Sequence, residues 1–378
     1  MNLYKLHHLI WFCVVFGIIC NILVVLKISR DARNFKCFQK IQKVVEKLLL
    51  LQFVEPIYVS EVIEKESPEI PEIYNKSLQT MLFSFVTDGI GNKLFEVISL
   101  LGIAKTLKRR PVINATNPDY MQVLYADIQP LFPKLVEQFS LELIPDHFIT
   151  RERISWGKCC MFDDPKKLQS LKDQYLILEG HYFQSYKFFH HLRSQIRDWL
   201  APSKRMALKA AAVIPEKSKN DFIICTHIHR GEPPYNNHRK PSDPRFTRVA
   251  TEYLVDIYEK SHSRISVVVL GDDLNFVNEV FTQSIKSNTS SYTVITVPIL
   301  KPEIDLAISR IFCDVFLLTA PTSTFGWWLA YLAKKEAVIY YRDIEDSKDE
   351  VLRELEPVDY YPKEWRTLKT DKDGSIRL

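Results

Sequence analysis

The chain has 378 residues, 46% of them hydrophobic and 25% charged, with a formal net charge of +4. That is enough chain for two domains of ordinary size. The mild charge excludes a nucleic-acid binder of the strongly basic kind.

The first predicted element is LIWFCVVFGIICNILVVL at 9–26, 18 residues with a single polar interruption at Asn21. As a helix it spans roughly 27 Å, close to the core of a bilayer. A cleavable signal peptide has a shorter apolar stretch followed by small residues. Here Lys27, Ile28, Ser29 and Arg30 follow, which favours an uncleaved anchor. Lys5 precedes the span, whereas Lys27, Arg30, Arg33 and Lys36 follow it. Taken alone, that asymmetry puts the C-terminal flank in the cytosol. Residues 38–78 mix helical periodicity with an acidic, proline-bearing stretch and read as a stem.

From residue 81 the pattern changes. Met81 to Val86 reads as a strand, TDGIGN (87–92) as a tight turn, and Leu94, Val97, Ile98, Leu101 and Ala104 recur at helical spacing. Pro111, Val112 and Ile113 open a further strand, completing a β-turn-α-β unit. Residues 120–200 are less legible. The proline- and lysine-bearing stretch 201–220 reads as an interdomain connection. Beyond it the predicted strands are 222–228, 265–270, 292–297, 314–319 and 337–341, alternating with helices at 246–261, 274–285, 303–312 and 326–334. Such alternation predicts a parallel sheet covered on both faces, with ligands at the carboxyl ends of its strands.

Of the seven cysteines, Cys13 and Cys20 lie in the apolar span. Cys225 and Cys313 sit in apolar stretches and read as buried thiols. Cys159 and Cys160 are adjacent, each free to pair elsewhere. No C-x-x-C spacing occurs, which argues against a structural zinc site. Glycosylation sequons stand at Asn75, Asn114 and Asn288 and lean slightly toward a lumenal domain.

Four places carry candidate chemistry. The first is IICTHIHRGEPP, where a strand ends in His227, His229, Arg230 and Gly231. The guanidinium of Arg230 suits a phosphate, and Gly231 lets the backbone approach a ligand. The competing reading pairs Arg230 with Glu232 or Asp243. A metal reading of His227 and His229 with His238 lacks further ligands. The second is TAPTSTFGWW, where Ser323 or Thr324 caps a helix whose free amides, through Phe325, form an anion seat. Trp327, Trp328, Tyr331 and Leu332 read as core. The third is DGIGNK. It lacks the third glycine of a dinucleotide fingerprint and the acid expected after the next strand, where Asn114 stands, so a nicotinamide cofactor is rejected. Gly91 and Asn92 remain able to approach a ligand. The fourth is LGDD, whose Asp272 and Asp273 suit a magnesium ion, a ribose or base, or a helix cap.

Taken in order, these pieces resemble the Golgi α-1,2-fucosyltransferases, in particular divergent nematode-type members. GIGNKLFEV resembles the family's G-x-G-N-Q turn, with Lys93 for the glutamine. LEGHYFQSYKFF resembles G-Y-x-Q-S, HIHRGE resembles H-x-R-R-G-D, STFGWW matches S-T-F-G-W-W, and YYPKEW is similar to the closing F-x-P-x-W. The resemblance covers residues 80–366.

The resemblance implies a GT-B-like α/β fold of two Rossmann-like domains facing a cleft, and an inverting transfer of L-fucose from GDP-fucose to the 2-hydroxyl of a galactose-bearing glycan. It also implies a type II Golgi protein with a lumenal catalytic domain, against the flanking charges. His7 and His8 add some positive charge on the other side of the span. The implied division is a cytosolic tail 1–8, a membrane anchor 9–26, a stem 27–79, an acceptor-side domain 80–205 and a nucleotide-sugar domain 215–378. No metal is expected, because fixed donors at Arg230, at Ser323–Thr324–Phe325 and at Gly91–Asn92 can take up the charge on the leaving diphosphate. A base for the acceptor hydroxyl is required, and Glu179, Glu232 and Asp88 are the carboxylates in or near the motifs.

His229 departs from the pattern by standing where the family has its first arginine. Losing a charged hydrogen bond to phosphate costs on the order of 1.5–3 kcal/mol. A catalytically inactive glycan- or nucleotide-binding homologue is therefore the alternative, with a metal-dependent hydrolase behind it.

Overall fold

The computed structural model describes residues 77–80, 89–154, 158–180, 182–231, 240–286 and 292–378. All belong to the compact unit Pro71–Leu378. The predicted tail, anchor and most of the stem lie outside the described residues, as do the strand at 81–86, Asp88, Glu232, His238, Asn75 and Asn288. Among the described residues no helix is long and apolar enough to cross a membrane.

Two parallel sheets organise the unit. The first holds β1 (Ser77–Thr80), β2 (Arg110–Asn114), β3 (Ser140–Glu142), β4 (Ile149–Arg153) and β5 (Tyr175–Glu179) in the order β3-β2-β1-β5-β4. β1 lies at the end of the segment predicted as stem, so the folded unit begins earlier than expected. Its sequence SLQT carries no apolar signal, because its pairing on both edges is set by β2 and β5. α1 (Ile90–Leu107) connects β1 to β2. Gly91 and Asn92 lie in the first turn of this helix rather than in a free turn before it. The helix is buried nearly all round, Lys93, Glu96 and Ser99 included, which marks a core helix rather than a surface one.

The second sheet contains β6 (Phe222–Ile228), β7 (Ile265–Gly271), β8 (Tyr292–Thr296), β9 (Val315–Leu318), β10 (Val338–Arg342), β11 (Arg366–Thr370) and β12 (Ile376–Arg377). Its order is β12-β11-β10-β9-β6-β7-β8, and only the edge pair β11–β12 is antiparallel. The chain runs outward through β7 and β8, then returns to the other side of β6 as β9. The direction therefore switches between β6 and β9, and sheets of this kind hold ligands at such a switch, beyond the strand ends.

Four further helices complete that sheet: α2 (Pro244–Tyr258), α3 (Leu274–Lys286), α4 (Pro302–Phe312) and α5 (Thr324–Leu332). The stretch predicted as an interdomain connection instead forms a helix at Lys204–Val213, capped by the Ser203 side chain and packed against α4. Its lysines face water while Ala210 is fully buried.

One apolar core joins the two sheets through α1 and α5. Phe95 of α1 lies 4.6 Å from the Trp327 ring and 5.1 Å from Trp328, and Phe189 stacks on Trp328 at 5.5 Å. Each such ring removes on the order of 200 Å² from water, an upper bound of about 5 kcal/mol by area. Trp327, Trp328, Tyr331 and Leu332 are fully buried, as their helical spacing predicts.

Two disulfides correct the reading of the cysteines. Cys225 of β6 is bonded to Cys313, just past α4, and Cys159 is bonded to its neighbour Cys160. The first closes a loop with a sequence separation of 88 residues, worth roughly 4–5 kcal/mol of unfolded-state freedom in the chain-entropy account. Asn114, read as a sequon, is buried. Its amide donates to the Ile144 carbonyl at 3.0 Å, and its oxygen accepts from Thr116 and Ile144. A side chain committed in this way is out of reach of a modifying enzyme once the chain has folded.

Candidate functional site

A cavity of about 450 Å³ opens at the switch between β6 and β9. Its wall is built from five pieces: Gly89–Asn92 at the start of α1, His227–His229 at the end of β6, Leu270–Asp272 at the end of β7, Ser323–Phe325 at the start of α5, and the segment after β8 with Ile299, Leu300, Pro302 and Asp305. All four places singled out in the sequence thus send residues to one space, although Arg230, Gly231 and Asp273 do not join them.

The two helix starts touch. The Trp328 indole donates to the Gly91 carbonyl at 3.1 Å. A Cβ on Gly91 would lie 2.6 Å from the Phe325 amide nitrogen, so only glycine permits this approach. Ser323 caps α5, its hydroxyl accepting from the Gly326 amide at 3.2 Å. Gly89 stands at the cap of α1 without a side-chain cap. The first turns of an 18-residue and a 9-residue helix therefore line one cavity, and both macrodipoles present their positive ends there.

Asn92 is held from behind. Gln184, itself buried, donates its amide to the Asn92 oxygen at 3.0 Å, which leaves the Asn92 amide hydrogens for the cavity. Gln184 follows Tyr182 and Phe183, both in the left-handed region at φ 58° and 50°. That conformation is unfavourable for bulky residues and is maintained by the surrounding core.

The β6 end brings the two histidines together. His227 and His229 stand two residues apart, a spacing that puts side chains on one face of a strand, and both line the cavity, their rings 6.4 Å apart between centroids. The His229 amide donates to the Ser242 hydroxyl at 2.9 Å, and the Ser242 amide donates back to the His229 carbonyl at 2.8 Å. The Thr319 hydroxyl donates to the His227 carbonyl at 2.6 Å. Burial and the nearby His229 push the His227 imidazole down to about 3, so it is neutral. Its Nδ1 is buried without a partner and packs where a Cβ on Gly326 would fall.

Asp272 acts as an acceptor for the chain that follows β6. It accepts from His229 Nδ1 at 2.8 Å and from the amides of Arg230 and Gly231 at 2.8 and 3.0 Å. Burial acts to raise its pKa, but these hydrogen bonds outweigh that and hold the carboxyl well below the ordinary range. Asp273 is the helix cap, accepting from Asn275 and Phe276.

Arg230 departs from the expectation of a phosphate contact. It is absent from the cavity wall. Its guanidinium donates to the Ser242 carbonyl at 2.9 Å and lies 4.6 Å over the Phe276 ring. Gly231 is likewise outside the cavity, with a φ of 74° that turns the chain after Arg230. Of the final pair in H-x-H-R, the histidine lines the cavity and the arginine is bonded to the Ser242 carbonyl.

Asp305 carries no functional signal in the sequence. There it is one acid in the first turn of an amphipathic helix, which fits a favourable dipole position with no further role. In the structure it lines the cavity, and burial followed by repulsion from Glu303 pushes its carboxyl up to about 7. Of the candidate bases, Glu179 lies outside the cavity wall, 3.8 Å from Arg151. Among the described residues no group of three or more His, Cys, Asp and Glu side chains is placed to hold a metal.

The glycosyl transferase family 11 model matches residues 161–369. A galactoside 2-alpha-L-fucosyltransferase of Caenorhabditis elegans is 49% identical over 397 residues, covering 99% of each chain. Another C. elegans protein of that description is 30% identical, over 79% of this chain and 81% of its own. The solved NodZ alpha-1,6-fucosyltransferase is 13% identical and superposes over 72% of this chain and 97% of its own with a TM-score of 0.38, too loose a likeness to carry an argument. By the family match and the full-length identity, the chain belongs to glycosyl transferase family 11.

Proposed function

We propose that this chain is an inverting transferase that moves L-fucose from GDP-fucose to the 2-hydroxyl of galactose in a glycan. The observation that carries the reading is the meeting of two helix starts at Gly91 and Phe325 on the wall of the cavity. The description of the 49% identical relative supplies the sugar and the hydroxyl.

Donor chemistry fits the wall. When the bond from C1 to the diphosphate breaks, its electron pair stays on the leaving oxygen. Amides at Ile90–Gly91 and Thr324–Phe325 and the Asn92 side chain are fixed donors for that growing charge. The acceptor oxygen attacks C1 from the opposite face and its proton passes to a base. Asp305 lines the same cavity with Ile299, Leu300 and Pro302. A carboxylate between apolar walls suits a planar base with two adjacent N–H donors, as guanine has. Those donors would favour the ionised form of Asp305.

The protein is proposed to sit in the Golgi membrane through residues 9–26 with this unit in the lumen. The bond between Cys225 and Cys313 supports that side, since such bonds persist in oxidising compartments. A non-catalytic homologue is the second reading, favoured by one observation: among the described cavity residues there is neither lysine nor arginine.

The test is incubation of the purified chain with GDP-fucose and a β-galactoside, with and without chelator. Transfer to the 2-hydroxyl that survives chelation is the expected result. Donor binding without transfer would establish the second reading, and loss of activity on chelation would overturn the metal-free mechanism.

A further inference from the structure

Cys159 and Cys160 are bonded to each other away from the cavity wall, and no step of the proposed transfer uses them. Both are buried. A disulfide between neighbours in sequence closes a small ring that contains their shared peptide. The ring leaves the two carbonyls few directions, and each is engaged. The Cys159 carbonyl accepts from the Gln184 amide at 2.8 Å, and the Cys160 carbonyl accepts from the Glu356 amide at 3.2 Å. Cys160 also forms a parallel bridge with Leu355. The pair therefore fastens Gln184 to a segment near the end of the chain.

The side chain of Gln184 meets the same pair. Its Oε1 lies 3.4 Å from the Cys160 sulfur, while its Nε2 donates to the Asn92 oxygen at 3.0 Å. A free glutamine side chain has much rotamer freedom to lose. Here the main chain is fastened through Cys159 and the tip of the side chain is backed by Cys160. Tyr182 and Phe183, just before Gln184, have left-handed backbone that surrounding structure must maintain. Asn92 lies on the cavity wall, so the disulfide reaches that wall through a single intervening residue.

Resting on the GDP-fucose reading, we infer that the bonded pair Cys159–Cys160 is a positioning element for the donor: it fixes Gln184, and Gln184 fixes Asn92 with its amide hydrogens toward the diphosphate. Neither sulfur touches the ligand. The order is present before the nucleotide arrives, so binding does not have to create it.

Isothermal titration of the full chain in detergent with GDP-fucose, without acceptor, tests this by a double-mutant cycle. Cys159→Ala combined with Cys160→Ala removes the ring and leaves no odd thiol behind. It should raise Kd by about two- to tenfold, the worth of one hydrogen bond. In an Asn92→Ala background the same change should leave Kd within about twofold, because the group being positioned is gone. A merely structural role would weaken binding by the same factor in both backgrounds. That result, or a Kd unmoved by removing the pair, would overturn the inference and leave the donor reading intact. Cys160→Ala alone opens the same ring and serves if the combined variant does not fold. Alkylation of the unfolded, unreduced wild type should modify neither Cys159 nor Cys160, and modification of both would overturn the inference without any variant. Failure of wild type to bind GDP-fucose would overturn the donor reading and the inference together.

Discussion

Trp328 donates its indole hydrogen to the carbonyl of Gly91 at 3.1 Å, a bond between residues 237 apart in sequence that joins the two helices whose starts line one cavity. The bond is buried, so losing it would leave both groups unsatisfied. It holds α5 against α1 at the depth where their first amides face the same space.

Gly91→Ala should separate these starts. The new Cβ would meet the backbone of Thr324 and Phe325 within 2.7 Å, and backbone cannot move aside as a flexible side chain can. Overpacking of this kind destabilises by about 1–3 kcal/mol. We expect a lower Tm and a kcat/KM reduced by at least about tenfold, read by calorimetry and by the transfer assay. Unchanged kinetics would show that the contact has no bearing on the site.

Gln184→Glu should reverse the amide of Asn92. A carboxylate accepts only, so it would attract the Asn92 N–H groups and turn the oxygen toward the cavity. Replacing a donor by an acceptor there should weaken GDP-fucose binding by about ten- to a hundredfold, or roughly 1.5–3 kcal/mol. The change should be visible in KM and in Kd, with circular dichroism unaltered.

Arg230→Lys separates support from contact. The lysine keeps its charge but loses the bond to Ser242 and the stacking on Phe276. A fall in Tm is expected, with a GDP-fucose Kd within about threefold of wild type, because stacking and one charged hydrogen bond are worth about 1–3 kcal/mol to the fold. His229→Ala should raise Kd by at least about tenfold. The reverse ranking would return the diphosphate to Arg230.

Asp305→Asn should change both pH stability and base choice. The folded carboxyl titrates near 7 against 3.8 for an ordinary aspartate, so the folded state binds the proton more tightly. Stability from this group is therefore greatest below about pH 4 and declines as pH rises to about 7. The asparagine variant lacks that decline, and its Tm should exceed wild type increasingly across this window. It should also lose preference for GDP over ADP in competition binding. Parallel Tm profiles would contradict the assignment of the titration to Asp305.

How far the sequence could be read depended on what fixed each element. β6 to β10 were legible because buried parallel strands are short apolar runs between amphipathic helices, and FIICTHI and ISVVVL are such runs. SLQT and the helix at Lys204–Val213 were not, since pairing partners and packing against α4 set them rather than their own composition. Residues from all four motifs reach one cavity, but Arg230, Gly231 and Asp273 do not line it. The guanidinium at Arg230 suited phosphate, yet the direction of a side chain after a strand breaks depends on long-range bonds to Ser242 and Asp272. Gln184 lay in a recognisable motif, but its bond to Asn92 spans 92 residues and exists only in the folded chain.

The most direct test of the account is a crystal structure of the protein with GDP. The diphosphate should lie within hydrogen-bond distance of first-turn amides from both α1 and α5, beside His229, with the base reaching Asp305. A diphosphate bound to Arg230 outside this cavity, or one touching neither helix start, would contradict it.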